Sequence, residues 1–275
     1  MAKSVQMNVS HSGRAVLMGA KTAVLIYSRG AAAEALKQAT TVDVRQTAEL
    51  LGRTYPGWEI HTADGSDLSD GSYPPDGVSY AAAFDGVEVV CDRRWMDYLP
   101  SELPAHLVEA SAGRRLVLHA MHSVVDALTF AVWEDGQLTR SLSLSPDSGI
   151  VENIGVPYAF ETSYWAGEHA VEPELDWEDE EPYPLPFHPL ELGEDALRAL
   201  AGFILEGRPD PDDVEPRTVP LNGYRITDPQ AADPAAARAA LERAVRAMAP
   251  PRLLRVNPDG SITTSDGLCA AAEQP

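Results

Sequence analysis

A chain of 275 residues is long enough for one large domain or for one domain with appendages. Apolar residues make up 44% of it, enough for a sizeable core. The net charge of −21 argues against nucleic acid and anionic lipid, which both reward Lys and Arg patches.

Two cysteines, Cys91 and Cys269, lie far apart and without C-x-x-C spacing, so they read as free thiols of a reducing cytoplasm. No run approaches the roughly 18 apolar residues of a membrane span. The N-terminal residues show no apolar core with a cleavage site, so they do not read as a signal peptide. Three lysines stand against eighteen arginines, the signature of a GC-rich genome.

Residues 1–17 have no period and read as a flexible extension, with Met18 a candidate natural start. The apolar, β-branched run Thr22–Ser28 predicts a buried strand. Ala31–Gln38 has helical patterning. Asp43 is placed to cap a helix over 43–54, with Val44, Thr47, Leu50 and Leu51 on one face. Pro56-Gly57 ends it, a short strand follows at Trp58–His61, and ADGSDLSDGSYPPDG is a loop. Asp85-Gly86 joins strands 78–84 and 87–91 as a hairpin. A broken helix is expected over 96–112, with Pro100 and Pro104 near its start.

The longest strand-type stretch runs from Arg115 to Pro146. It divides into strands 116–122, 127–133 and 138–144, the last two joined through Asp135-Gly136. Strict alternation puts Leu138, Arg140, Leu142 and Leu144 on one face, and Thr139, Ser141 and Ser143 on a wetted one. Regularity fails from Pro146 to Pro189, where residues 172–181 form an acidic run. A helix is expected over 194–206 with Gly207 beyond its end, then a short edge strand over 219–226. The Ala-rich segment from Pro234 and a hairpin around Pro258-Asp-Gly260 form a C-terminal appendage, 228–275, beside a core domain of 18–227.

Three stretches carry candidate chemistry. Gly19-Ala-Lys21-Thr22 resembles the end of a phosphate loop, but Ala20 interrupts the motif and the strand follows rather than precedes it. His119, His122 and Asp126 have the donor chemistry of a metal or acid–base site. Residues three apart on a strand point to opposite faces, however, so the two imidazoles need a bulge to meet. Glu161, Glu168 and His169 lie in the irregular segment with Tyr164 and Trp165, a set suited to acid–base work or ligand stacking. Structural readings compete with each: a core histidine, a surface histidine, a loop that covers the sheet with its aromatics. No G-x-S-x-G, H-E-x-x-H or G-x-G-x-x-G occurs.

The phrases MGAKTAVLIYS, HAMHSVVDALTFAVWEDGQLTRSLSLSPDSGIVENIG, YWAGEHAV and YPLPFHPLELGEDALRAL resemble a conserved hypothetical family of GC-rich actinobacteria. The resemblance covers about residues 18–226. It implies a bacterial, cytoplasmic, self-contained domain and supplies no catalytic residues. The hairpin phrase FAVWEDGQLTRSLSLSPDSG is also similar, over a short span, to hairpins of bacterial immunity-type modules.

Together these readings predict an α+β fold: a mixed, largely antiparallel sheet with helices mainly on one face. The expected function is a non-enzymatic binding or interaction module without a cofactor. Its partner would be a protein or a small molecule, not nucleic acid or a membrane. The alternative is a metal-dependent or acid–base hydrolase using His119, His122, Asp126, Glu161, Glu168 and His169, its metal undefined.

Overall fold

Strand β1 (Lys21–Ser28) is the middle of the architecture, and its sequence explains why. Every residue from Thr22 to Ser28 is buried, so both faces of this strand are covered. The computed structural model describes residues 20–171 and 183–230, and the backbone of 252–256 and 262–266. The N-terminal extension, the acidic run 172–181 and the helix expected from Pro234 lie outside the described residues.

Eight more strands join β1: β2 (Glu59–Asp67), β3 (Val78–Phe84), β4 (Val87–Cys91), β5 (Arg115–His122), β6 (Ala127–Glu134), β7 (Gln137–Ser145), β8 (Gly149–Gly155) and β9 (Pro220–Thr227). They form one open sheet in the order β2-β9-β3-β4-β1-β5-β6-β7-β8, antiparallel at every pairing. The Asp-Gly hairpins form where the sequence puts them. At the β6–β7 turn Asp135 and Gly136 both have positive φ, 49° and 75°, the geometry that matches strand twist.

Among the described residues five helices pack on this sheet: α1 (Ala32–Lys37), α2 (Val44–Thr54), α3 (Ala105–Glu109), α4 (Thr162–Trp165) and α5 (Pro189–Ala201). Asp43 caps α2 as expected, its carboxylate accepting the Gln46 N–H at 2.9 Å. Val44 is exposed, though, and the buried face is Thr47, Leu50, Leu51 and Thr54. The segment expected as one broken helix is α3 preceded by two 3-10 turns, 93–97 and 100–102. Helix α5 starts five residues earlier than expected and ends at Gly202, not Gly207. His188 caps its start, and Gly202 (φ 84°) supplies the left-handed residue at its end.

The helices divide between the two faces of the sheet, which corrects the expectation of one covered face. One apolar cluster joins Val24, Ile26, Val117, Met121 and Phe130 of the sheet to α1, α4 and α5. The other joins Ala23, Leu25, Tyr27, Leu116 and Leu118 to α2 and α3. Period-2 alternation feeds both clusters from the same strands.

A bulge in β7 overturns a second expectation. Val132 pairs with Arg140, but the adjacent Trp133 pairs with Leu138, so Thr139 is the extra residue. Leu138 therefore packs on the α2 face, while Arg140, Leu142 and Leu144 lie on the α5 face. Ser141 is not wetted either: it is fully buried and bonds the Glu152 carboxylate.

The chain separates into a unit through Asp228 and a smaller unit, Pro229–Pro275. In the latter, β10 (Arg252–Val256) and β11 (Ile262–Asp266) pair antiparallel. Among the described residues no helix is long and apolar enough to cross a membrane.

Candidate functional site

The six residues singled out from sequence do not form one constellation. His119 is fully buried on the α5 face. Its Nε2 bonds the Gly193 carbonyl of α5 at 2.9 Å, and its Nδ1 bonds the Thr22 hydroxyl of β1 at 2.8 Å. A carbonyl only accepts, so Nε2 carries the proton and Nδ1 takes the hydroxyl hydrogen. Desolvation pushes the imidazole pKa down to about 4. A ring with both nitrogens committed is a structural pin.

His122 lies on the opposite face, its ring edge-on to Tyr73 at 5.6 Å. Burial and neighbouring Lys21 lower its pKa. Asp126 sits in the β5–β6 turn at φ 45°. Its carboxylate lies 3.7 Å from His188 Nε2 at the start of α5.

Glu161 is the carboxylate half of a buried ion pair with Arg140, both fully inaccessible. Arg140 Nε and Nη2 donate to its two oxygens at 2.9 and 2.5 Å. The Tyr158 N–H (2.8 Å) and Trp165 Nε1 (3.1 Å) complete its shell. The Arg140 Nη1 is taken by Asn153 and the carbonyls of Ser141 and Ile154. Every oxygen of Glu161 is occupied, so this group has no lone pair facing a substrate. Glu168 is exposed.

His169 lines a cleft of about 350 Å³ between α4 and α5. It stacks on Tyr164 at 3.9 Å and bonds Ser163 through Nε2 at 3.0 Å. The cleft also presents Glu191, Glu194, Asp195 and Arg198, none of them a sequence-level candidate. Glu194 is 6% exposed and accepts the N–H groups of Leu205 and Glu206 at 2.8 and 3.2 Å. Desolvation raises its pKa to about 7, against the two backbone donors. The helical period of α5 places these carboxylates on the face beside its apolar stripe, and their convergence on a cleft depends on α4 packing there. Among the described residues no group of three or more His, Cys, Asp or Glu is placed to hold a metal ion.

The feature with the clearest surface signature is β8, a strand within the stretch expected to be irregular. It is an edge strand: β7 flanks it on one side and no described strand on the other. Ile150, Val151, Ile154 and the following Val156 are 43, 51, 40 and 83% exposed. By register Ile150 shares a face with Leu144, and Ile154 shares the other face with Ser141. A bulge at Val151 shifts the pairing between Ser143 and Leu144. Two polar side chains tie the strand to its neighbours, buried Glu152 on one face and exposed Asn153 on the other. Asn153 bonds Arg140, and Glu152 bonds Ser141 and Ser101.

The opposite edge is unlike it. Strand β2 reads EIHTADGSD, with Glu59, His61, Asp64 and Gly65 exposed and a bulge between Ala63 and Ser66. Charge and bulges are the usual guards against edge-to-edge pairing. On β8 three of the exposed side chains, Ile150, Val151 and Ile154, are apolar, beside Asn153.

A family model described as a family of unknown function (DUF6928) matches residues 22–224. The chain belongs to that family. The DUF6928 match runs from the start of β1 into β9, so it takes in the nine-stranded sheet and stops short of the 229–275 unit. No curated protein and no solved structure matches the chain.

Proposed function

We propose that this protein is a binding module that takes up an extended polypeptide segment along β8. The observation that carries the reading is an edge strand, unpaired on one side among the described residues, with three exposed apolar side chains and Val156 just past its end, set opposite a guarded edge of the same sheet. Strand addition draws affinity from main-chain hydrogen bonds and specificity from alternate side chains. The partner is a basic segment of another protein: a chain of net charge −21 attracts cationic partners and repels a second copy of itself. The same charge supports a role away from nucleic acid and anionic lipid, within the cytoplasm.

The probe is a synthetic peptide of alternating Val and Lys, and the readout is amide hydrogen exchange. Peptide binding is expected to protect amides within 149–156. Ile154→Lys places a like charge on the edge and is expected to abolish that protection while thermal stability is retained. Protection elsewhere, or none at about 1 mM peptide, the weak end of specific binding, removes the proposal.

A second reading is acid–base hydrolysis in the His169–Glu194 cleft. It is favoured by one observation, a buried carboxyl whose pKa lies near the operating range of a general acid or base. Hydrolysis of a chromogenic ester panel that vanishes in Glu194→Gln supports this reading, and unchanged turnover ends it.

A further inference from the structure

A patch of arginines that meets a cavity lies away from both β8 and the His169 cleft. The C-terminal end of β1, the N-terminal end of β5 and the β6–β7 turn converge at one end of the sheet. Between them is a cleft of about 500 Å³ lined by Arg29, Arg114, Arg115, Glu134 and Asp135, among others.

The local charges do not cancel. Glu88 is one carboxylate shared by two guanidiniums, those of Arg53 and Arg114. Arg115 is matched by Glu134 through Nε and Nη2, at 2.7 and 2.6 Å. Asp135 is committed to the segment that leads into β5, accepting the Gly113 N–H at 2.6 Å. Arg29 is exposed, and no carboxylate pairs with it among the described residues. The cleft lining thus presents three guanidiniums against two carboxylates, in a chain that carries twice as many acidic as basic residues.

The donors are also partly fixed. Arg114 is held over the Tyr27 ring at 5.1 Å and donates to the Ala110 carbonyl at 2.5 Å. A guanidinium has five N–H donors, and Glu134 draws on only Nε and Nη2 of Arg115, so its Nη1 group remains for a ligand. Planar guanidiniums recognise carboxylates and phosphates through paired hydrogen bonds. A volume of this size admits a metabolite rather than a bare ion only.

We infer that this cleft binds a small anionic ligand, carboxylate or phosphate in chemistry, with Arg29 and Arg115 as its donors. Nothing in this inference depends on the β8 proposal, and neither test uses the other's residues.

The test is titration calorimetry of the full chain at low ionic strength, with inorganic phosphate and citrate as separate probes. Saturable binding of at least one is expected, with a dissociation constant on the order of 1 mM or tighter. Arg29→Ala is expected to weaken it at least about tenfold, and Arg29→Lys less. Asp135→Asn removes a competing negative charge and is expected to tighten it. Asn keeps the positive φ of that turn residue, so the hairpin survives. Arg29 is exposed, so its replacement is expected to leave the melting temperature unchanged. No saturable binding of either probe, or binding that Arg29→Ala leaves intact, overturns the inference. Preference for phosphate over citrate, or the reverse, assigns the ligand class.

Discussion

His119 joins three elements through one ring, and its protonation state is part of the fold. Its pKa is about 4 in the folded chain and about 6.5 in an unfolded one. The unfolded state therefore binds more protons between those values, and stability rises with pH across the window. The contribution is fully present above pH 6.5 and lost as pH falls toward 4. At about 1.4 kcal/mol per unit, it amounts to roughly 3 kcal/mol. Urea denaturation from pH 4 to 7 is expected to show this slope, and His119→Gln to flatten it. The Arg140–Glu161 pair supplies a second prediction. Glu161→Gln or Arg140→Met alone strands a buried charge and is expected to cost about 3–5 kcal/mol, while a packed apolar double replacement is expected to be near neutral. A catalytic role for Glu161 predicts the opposite pattern, lost turnover with stability retained. Sequence identified both His119 and Glu161 as unusual. It could not say that their hydrogen-bonding capacity is spent, because the partners Gly193 and Arg140 lie 74 and 21 residues away.

Helix α5 shows how an element's limits are set by its neighbours. Both Gly202 and Gly207 have positive φ, so either could end the helix by conformation alone. The chain stops at Gly202 because α1 packs there. A Cβ at that position would overlap Ala33 Cβ and lie 2.9 Å from Ala33 Cα. Gly202→Ala is therefore expected to destabilise by roughly 2–4 kcal/mol, from the left-handed backbone and the clash together. A Gly207→Ala control is expected to cost less, since the nearest atom there is the Ile204 side-chain terminus at 3.7 Å. Thermal denaturation of the two variants checks the ordering. In β7 the bulge at Thr139 is invisible to alternation, because one extra residue reverses every inference made from the other side of it. Strand β8 was overlooked for a related reason. It is a seven-residue segment with glycine at both ends, and its Glu152 and Asn153 look like loop residues until Ser141, Ser101 and Arg140 are seen to bond them.

At the scale of the molecule, the described residues of the two apolar clusters run from Ala20 to Ile226. A chain truncated after Asp228 is expected to keep a single cooperative unfolding transition, with a midpoint within a few degrees of the full chain. A broad or non-cooperative transition would show that residues 229–275 complete the core. The sequence by itself determined the kind of fold, the buried central strand, the Asp-Gly hairpins and the cap of α2, because each is written in local periodicity or turn chemistry. It also determined that His119 and His122 stand back to back, since alternation along one unbulged strand is a local rule. Tertiary structure decided which faces the helices cover, where β7 breaks its alternation, and which polar residues are consumed in the interior. It also decided what is left outside: an apolar edge at β8 and an arginine-lined cleft at the end of the sheet. Those features depend on pairings between distant segments, and the energy of a buried charge or an open edge is fixed by what lies across from it.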